Sequence, residues 1–269
     1  NQQCGTISNF TGHCVSTFAG TGIAGTEDGP VGKAQFNNPL YMARDPKGNL
    51  YISDTGSGRL RKISYVTKQS CGKVSAYTGY CVNTLLTNAK KARVDGPIKT
   101  AGLHRNPAKS IAINAIGDLY FIDGSSGDYA VRRISNVQNQ TCTTTKNYTG
   151  LCVSTLITLK DLKRTTQFIT NSFRGIWANA QGVVYLTAQL GSSQLLIALS
   201  KAQHNIPGTC IQPYNKQGYC GKIVMGSYVG LSGAIFHSGS NPNELIQGKD
   251  GSFFFTDLSR HILLKIPAD

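Results

Sequence analysis

The chain has 269 residues, 40% of them hydrophobic, with 30 glycines, eight cysteines and a formal net charge of +14. This apolar fraction excludes a disordered chain, and at this length roughly 70–75% of the unfolded surface can be buried, so a substantial core is available. No run approaches the ~18 apolar residues that a membrane-spanning helix needs, and Asn1-Gln2-Gln3 does not read as a signal peptide, so an exported chain is expected to have lost its leader.

The first legible element is a cysteine hairpin, Cys4 to Cys14, followed by the strand-like run Val15–Gly20. Four short β-branched and aromatic runs come next, separated by Gly, Pro, Asn and Asp clusters, the pattern of antiparallel strands and tight turns. They are Leu40–Asp45, Leu50–Asp54, Leu60–Ser64 and, beyond a hairpin from Cys71 to Cys81, Val82–Thr87. Pro46-Lys47-Gly48-Asn49 forms the first turn. The same order recurs over Ile111–Ala115, Asp118–Asp123, Val131–Ser135 and Val153–Thr158, with a hairpin from Cys142 to Cys152. It recurs again over Ile176–Ala180, Val183–Thr187, Leu195–Ser200 and Lys222–Gly226, with Cys210 to Cys220. The last group, Glu244–Gly248, Ser252–Asp257 and Leu263–Pro267, has only three runs.

Each cysteine pair spans ten positions, and successive pairs start 67, 71 and 68 residues apart. Such a period makes this a repeat protein. A metal site would need short Cys-x2-4-Cys or Cys/His clusters, which are absent. The pairs therefore read as four local disulfides, Cys4–Cys14, Cys71–Cys81, Cys142–Cys152 and Cys210–Cys220, formed in an oxidising compartment. Three Asn-x-Ser/Thr sequons, at Asn9, Asn139 and Asn147, fall within or just before these hairpins. Together they predict a secreted or cell-surface glycoprotein.

The strand missing from the last group stands at the other end of the chain, where residues 14–20 follow the first cysteine pair. Pairing it with the last group closes four four-stranded antiparallel sheets into a ring and removes the free edges. The expected fold is thus all-β: one four-bladed β-propeller domain over 1–269, with repeats at about 21–87, 88–158, 159–226 and 227–269 plus 1–20. Spacing agrees: Arg61 to Cys71 and Arg132 to Cys142 are ten residues each, and joining Asp269 to Asn1 puts Cys4 nine residues after Leu264.

Residues 15–63 resemble an NHL repeat. The matching features are Ala19-Gly20-Thr21-Gly22, Asp28-Gly29 followed by Ala34, Phe36 and Pro39, Asp45 followed by Gly48-Asn49-Leu50, Tyr51-Ile52-Ser53-Asp54 and Arg59-Leu60-Arg61-Lys62-Ile63. The match continues over Val82–Ile134 and then weakens. Ala188 stands where the other repeats have Asp54, Asp123 and Asp257, and Ile197 and Leu264 stand where Arg61 and Arg132 do. The resemblance implies a propeller. NHL propellers more usually have about six blades, and the cysteine hairpin is not part of their core pattern. Some NHL-repeat enzymes, the peptidyl-hydroxyglycine amidating lyases, hold a histidine-bound zinc over the axis. Aligning Phe36-Asn37, Leu103-His104, Phe168-Ile169 and Phe236-His237 makes His104 and His237 the matching positions, on opposite blades. A zinc site of that kind takes three protein ligands, and Asn37 and Ile169 do not supply the third.

In a propeller blade, the hairpins between third and fourth strands leave one face and the long inter-blade connectors leave the other. The stretches 88–110 and 158–175 carry ten basic residues against Asp95 and Asp161, which accounts for +8 of the +14. Lys90, Lys91, Arg93, Arg105, Lys160, Lys163, Arg164 and Arg174 are the candidate ligand-binding residues, facing an acidic glycan or protein partner by long-range attraction. No nucleic-acid-binding module is legible. Gly20-Thr21-Gly22-Ile23-Ala24-Gly25 fits G-x-G-x-x-G, but it leads into Thr26-Glu27-Asp28-Gly29-Pro30 rather than a helix, so no dinucleotide cofactor is expected. Asp54, Asp123 and Asp257 recur at the end of the second strand, where a carboxylate accepts turn N–H groups, and Trp177 belongs to the core. The leading expectation is a non-enzymatic extracellular binding module. The alternatives are a metal-dependent lyase and a structural ectodomain of a larger surface protein.

Overall fold

A computed structural model describes residues 2–4, 7–89, 92–104, 110–125, 127–161, 172–179, 181–190, 193–201, 219–226, 242–248, 252–257 and 262–266. Strands β1 (Gln2–Cys4) and β2 (Ile7–Phe10) form a small antiparallel hairpin. A five-stranded sheet follows, built from β3 (Gly29–Pro30), β4 (Pro39–Arg44), β5 (Leu50–Asp54), β6 (Arg59–Cys71) and β7 (Val74–Thr87) in the order β3-β7-β6-β5-β4. The second sheet repeats it with β8 (Gly96–Pro97), β9 (Ile111–Ile113), β10 (Leu119–Ser125), β11 (Asp128–Cys142) and β12 (Thr145–Thr158). The third contains β13 (Ser172–Ala178), β14 (Val184–Leu190), β15 (Ser193–Lys201) and β16 (Tyr219–Gly226), and the last contains β17 (Pro242–Gln247), β18 (Phe253–Asp257) and β19 (Ile262–Ile266). All neighbouring strands are antiparallel.

Apart from Val15–Gly20, the expected runs became strands, with two additions. A two-residue edge strand, Gly29–Pro30 or Gly96–Pro97, pairs with the outermost long strand. Proline lacks the N–H that an interior strand must donate, so it suits an edge. The cysteine hairpins also continue the sheet ladder: β6 and β7 run on to a tip at Gly72-Lys73. Register shifts after Val66 and Val137 bend these ladders, with Lys68, Ala76, Asn139 and Asn147 at φ near +50°. The bend returns Cys71 to Cys81 and Cys142 to Cys152, and both disulfides are closed at a Cα–Cα distance of 5.7 Å. A Cβ on Gly72 (φ +58°) would collide with the Asp28 carbonyl, so the folded-back tip seats directly on the edge strand.

Successive sheets pack face to face with their first long strands adjacent: β4 meets β9, β9 meets β13, and β13 meets β17. Leu60 and Leu86 of the first sheet, with Tyr41, Ala43 and Tyr51, pack on Ile111, Leu119, Phe121 and Ile134 of the second. One repeat later Val131, Ile157, Ala112 and Tyr120 pack against Ile176, Val184 and Leu186 of the third. Alternation along each strand thus feeds two interfaces, one per face.

The fourth strand of the last sheet is where structure and expectation part. Residues 14–20 carry no strand, and the described residues of the last sheet form three strands. The segment is held instead by the first sheet: Phe18 stacks edge-to-face on Tyr80 with centroids 5.1 Å apart, and Gly20 N donates to Val31 O at 2.9 Å. Side-chain contacts and one backbone bond are satisfied there without a ladder partner.

Each of the first two sheets is cross-linked by a buried arginine. Arg61 Nη1 donates to Asp54 Oδ2 (3.1 Å) and Gln35 O (2.8 Å), and Nη2 donates to Asp28 Oδ1 (2.7 Å) and Glu27 O (2.8 Å). Arg132 repeats this with Asp123, Gly102 O, Asp95 and Val94 O at 2.6–2.8 Å. Asp54 and Asp123 also accept the backbone N–H of Asn37 and His104, the role expected for these aspartates. Asp28 and Asp95 accept both N–H and hydroxyl of Thr84 and Thr155. In the third sheet Ala188 and Ile197 replace the aspartate and arginine together, and both are buried. Removing one partner of a buried pair strands a charge, at a cost of about 3–5 kcal/mol, whereas removing both is often near neutral. Arg61→Ile should therefore lower unfolding free energy by that amount, and Asp54→Ala/Arg61→Ile by distinctly less, as read by urea unfolding. A double variant as damaged as the single one would contradict this account.

Candidate functional site

The connector before each of the first two sheets was expected to lie on the face opposite the cysteine hairpins. It does not stay there. It descends along the outer edge as β3 or β8, meets the hairpin tip, and returns to start β4 or β9. The reason is the Asp-Gly-Pro segment, whose aspartate reaches the threonine of the outer strand and the buried arginine.

At the opposite end of the second sheet, Arg93 lies within a cluster of polar groups. Its Nη2 donates to the carbonyls of Asp123 and Asp128 at 3.0 Å each, and Nη1 stands 3.2 Å from Asp128 Oδ1. Its Nε is 3.7 Å from Asp123 Oδ2. His104 joins this cluster, with Nε2 3.4 Å from Asp128 Oδ2 and its backbone N–H on Asp123. Burial pushes the Asp123 carboxyl above its ordinary range, while Arg132 and Arg93 pull it down. Arg93 is accordingly an internal cross-link between connector and β10–β11 turn. No group of three His, Cys, Asp or Glu able to hold a metal occurs among the described residues.

Of the other predicted positions, Lys160 is exposed on a helical turn at 159–161, where Thr158 and Asp161 bond to each other. Arg174 is half-buried on β13. Lys90, Lys91, Arg105, Lys163, Arg164, His237 and Cys210 lie outside the described residues. Cys4 and Asn9 fall in β1 and β2, Cys220 falls in β16, and Cys14 is disulfide-bonded. Asn139 and Asn147 are both exposed on the β11–β12 hairpin. Tyr129 and Phe173 are buried against one another, and Trp177 is half-buried beside Tyr185.

Two adjoining cavities on the outer face of the first sheet were not anticipated. One, of about 490 Å³, is apolar and lined by Phe18, Phe36, Leu40, Met42, Ile52 and Ile63 among others. The second, of about 420 Å³, combines Arg44, Lys47 and Asn49 with Phe18, Tyr65 and Tyr80. The signal was in the repeat alignment: the positions of Arg44, Lys47, Tyr65 and Tyr80 hold Ile113, Ile116, Asn136 and Leu151 in the second sheet.

No family profile matches the chain, and no curated protein is similar to it in sequence. Solved structures with a similar arrangement include virginiamycin B lyase from Staphylococcus aureus (10% identity, TM-score 0.40, covering 86% of this chain and 56% of that one). They also include a streptogramin B lyase (10%, TM-score 0.39, covering 90% and 58%). A third is the PQQ-bound aldose sugar dehydrogenase from Streptomyces coelicolor (13%, TM-score 0.38, covering 91% and 79%). The lyase and the dehydrogenase are β-propellers. This chain spans little more than half the length of the lyases.

Arg93 makes charge-assisted bonds to two carbonyls and a carboxylate at once, each worth about 1.5–3 kcal/mol. Arg93→Ala should cost about 2 kcal/mol in urea unfolding, and Arg93→Lys should recover only part, because an ammonium cannot span the same partners. An Arg93→Ala protein as stable as wild type would show that the cluster is not a cross-link.

Proposed function

We propose that the chain is a four-bladed NHL-like β-propeller, closed into one ring, that acts outside the cell as a binding module with its basic connectors turned to an acidic glycan or protein partner. The observation that carries the binding reading is the fate of the connector acids. Asp28 and Asp95 are engaged with arginine and threonine, and Asp161 with Thr158, so they are used internally. The carboxylates of these stretches are thus committed to partners within the fold, while ten basic residues stand beside them in sequence. Lys90, Lys91, Arg105, Lys160, Lys163, Arg164 and Arg174 would carry the attraction, with Arg93 contributing least because it is already paired.

Closed disulfides in two consecutive repeats support an oxidising compartment. No helix among the described residues is long and apolar enough to cross a membrane.

Ring closure is supported by position-for-position equivalence. Leu263, Ile246 and Phe254 of the last sheet hold the register places of Leu60, Ala43 and Tyr51, which pack on the second sheet. Even the cation over the ring recurs, Lys265 on Phe254 at 5.4 Å and Lys62 on Tyr51 at 5.7 Å. Yet Leu263 is 66% exposed where Leu60 is fully buried. At the other end of the stack, Met42 is 65% exposed where its counterpart Ile111 is buried. Phe18-Ala19 already line the apolar cavity or its core, at the cysteine spacing of Leu85-Leu86. The last sheet, docked on Met42 and Ile52 with residues 15–20 as its fourth strand, would bury both sets at about 1.5–3 kcal/mol per large side chain.

Two measurements test these readings. Lys90→Glu/Lys91→Glu should elute from a heparin column at clearly lower salt than wild type, with Arg93→Glu shifting elution less; unchanged elution of the first variant would remove the basic-face assignment. Leu263→Asp should lower the thermal midpoint by several degrees if the ring closes, since an exposed surface site would tolerate it within about 0.5 kcal/mol. A silent Leu263→Asp would mean an open stack.

A further inference from the structure

The polar cavity on the first sheet brings together two cations and exposed aromatic rings. Lys47 and Asn49 come from the turn between β4 and β5, Arg44 from the end of β4, and Tyr65 and Tyr80 from the root of the cysteine hairpin. Tyr65 is 60% exposed, and Tyr80 and Phe18 are each a little under half exposed. The rings are set edge-to-face, Tyr65 to Tyr80 at 5.3 Å and Phe18 to Tyr80 at 5.1 Å, so they form a standing aromatic wall. Opposite it, the Arg44 guanidinium lies along the turn, with Nη2 3.3 Å from where a Gly48 Cβ would stand.

Neither Arg44 nor Lys47 has a carboxylate within ion-pair distance among the described residues. The acid beside them in sequence, Asp45, is buried and turned inward onto Asn49 and Tyr51 at 2.7–3.2 Å. The second sheet serves as an internal control. It keeps the turn, with Asn114 in place of Asp45 and Gly117 in place of Gly48, but carries Ile113, Ile116, Asn136 and Leu151 where the first has its cations and tyrosines. Of these two repeats, the first sets beside exposed rings two cations that have no carboxylate partner among the described residues.

We infer that this cavity is a binding site for an acidic saccharide unit, with the sugar ring against Tyr65 and Tyr80 and its sulfate or carboxylate on Arg44 and Lys47. The inference deepens the acidic-ligand reading above and rests on it for the class of ligand, but it places a site at the hairpin end of the first sheet, away from the basic connectors. The hairpin β6–β7 carries no glycosylation sequon, unlike β11–β12 with Asn139 and Asn147. Met42 and Ile52, the residues needed for ring closure, line the neighbouring apolar cavity and not this one.

Calorimetric titration of the full chain with a heparin tetrasaccharide, its fully desulfated counterpart and maltotetraose tests the site, with circular dichroism checking that each variant folds. Wild type is expected to bind the sulfated probe and neither of the others. Lys47→Ala and Arg44→Ala/Lys47→Ala should each weaken binding, the double variant by at least about tenfold. Tyr65→Ala should weaken it by a similar factor while Tyr65→Phe stays near wild type. Lys73→Ala, at the exposed hairpin tip and in neither proposed site, should leave tetrasaccharide affinity nearly unchanged. If Arg44→Ala/Lys47→Ala binds normally while Lys90→Glu/Lys91→Glu does not, the cavity assignment is overturned and the connector reading stands. Equal binding of free sulfate, or indifference to Tyr65→Ala, would overturn the saccharide assignment. No binding of the sulfated probe by wild type, with no retention on heparin, would overturn both readings.

Discussion

The buried guanidinium is the constraint from which much else follows. Arg61 and Arg132 each sit at zero exposure with four hydrogen bonds from their two Nη atoms. A charge is tolerable there only because carboxylates and carbonyls converge on it from three pieces of chain. One carboxylate ends β5 or lies two residues before the end of β10, the other belongs to the connector's Asp-Gly pair, and the carbonyls come from the connector on either side. Satisfying the ion therefore dictates where the connector runs. The third sheet, with Ala188 and Ile197, fills the same space with apolar groups and has no such ion to satisfy.

That path has two consequences for function. It draws the Asp-Gly carboxylate, Asp28 or Asp95, onto the buried arginine and the outer-strand threonine. It also brings the Asp-Gly-Pro edge strand beneath the cysteine tip, where Gly72 meets the Asp28 backbone. The disulfide thus does more than close a small loop. By holding the bent ladder of β6–β7 folded back, it keeps the edge strand covered and protects an otherwise open sheet edge.

Sheet stacking explains the remaining surface features. Each sheet offers one set of apolar side chains to the sheet before it and another to the sheet after it, so a linear stack must leave one set bare at either end. Those bare sets are Leu40 and Met42 at one end and Ile246 and Leu263 at the other. The cavity with Arg44, Lys47, Tyr65 and Tyr80 adjoins the first of them, and its residues differ from the next repeat where the structural ones do not. Repetition within one chain separates residues kept for folding from residues free to take on recognition.

Much of this was legible from residue order alone. Strand runs, turn clusters, repeat period and the pairing of Cys71 with Cys81 and Cys142 with Cys152 are all local properties, set by alternation and short spacing. The aspartates at the strand ends were recognised as turn acceptors for the same reason. Long-range partners were not. Arg61 lies 33 residues from Asp28, and Arg93 lies 35 from Asp128. Arg93 was accordingly counted as surface charge, and the connectors were assigned to a single face. A charged side chain reads the same in sequence whether it meets solvent or a buried carboxylate; only tertiary packing chooses between them. Residue order alone carried repeating antiparallel units, two of them stapled by the local disulfides Cys71–Cys81 and Cys142–Cys152. The tertiary structure alone decided which charges are spent inside, where residues 14–20 lie, and which cations are left beside open aromatic rings.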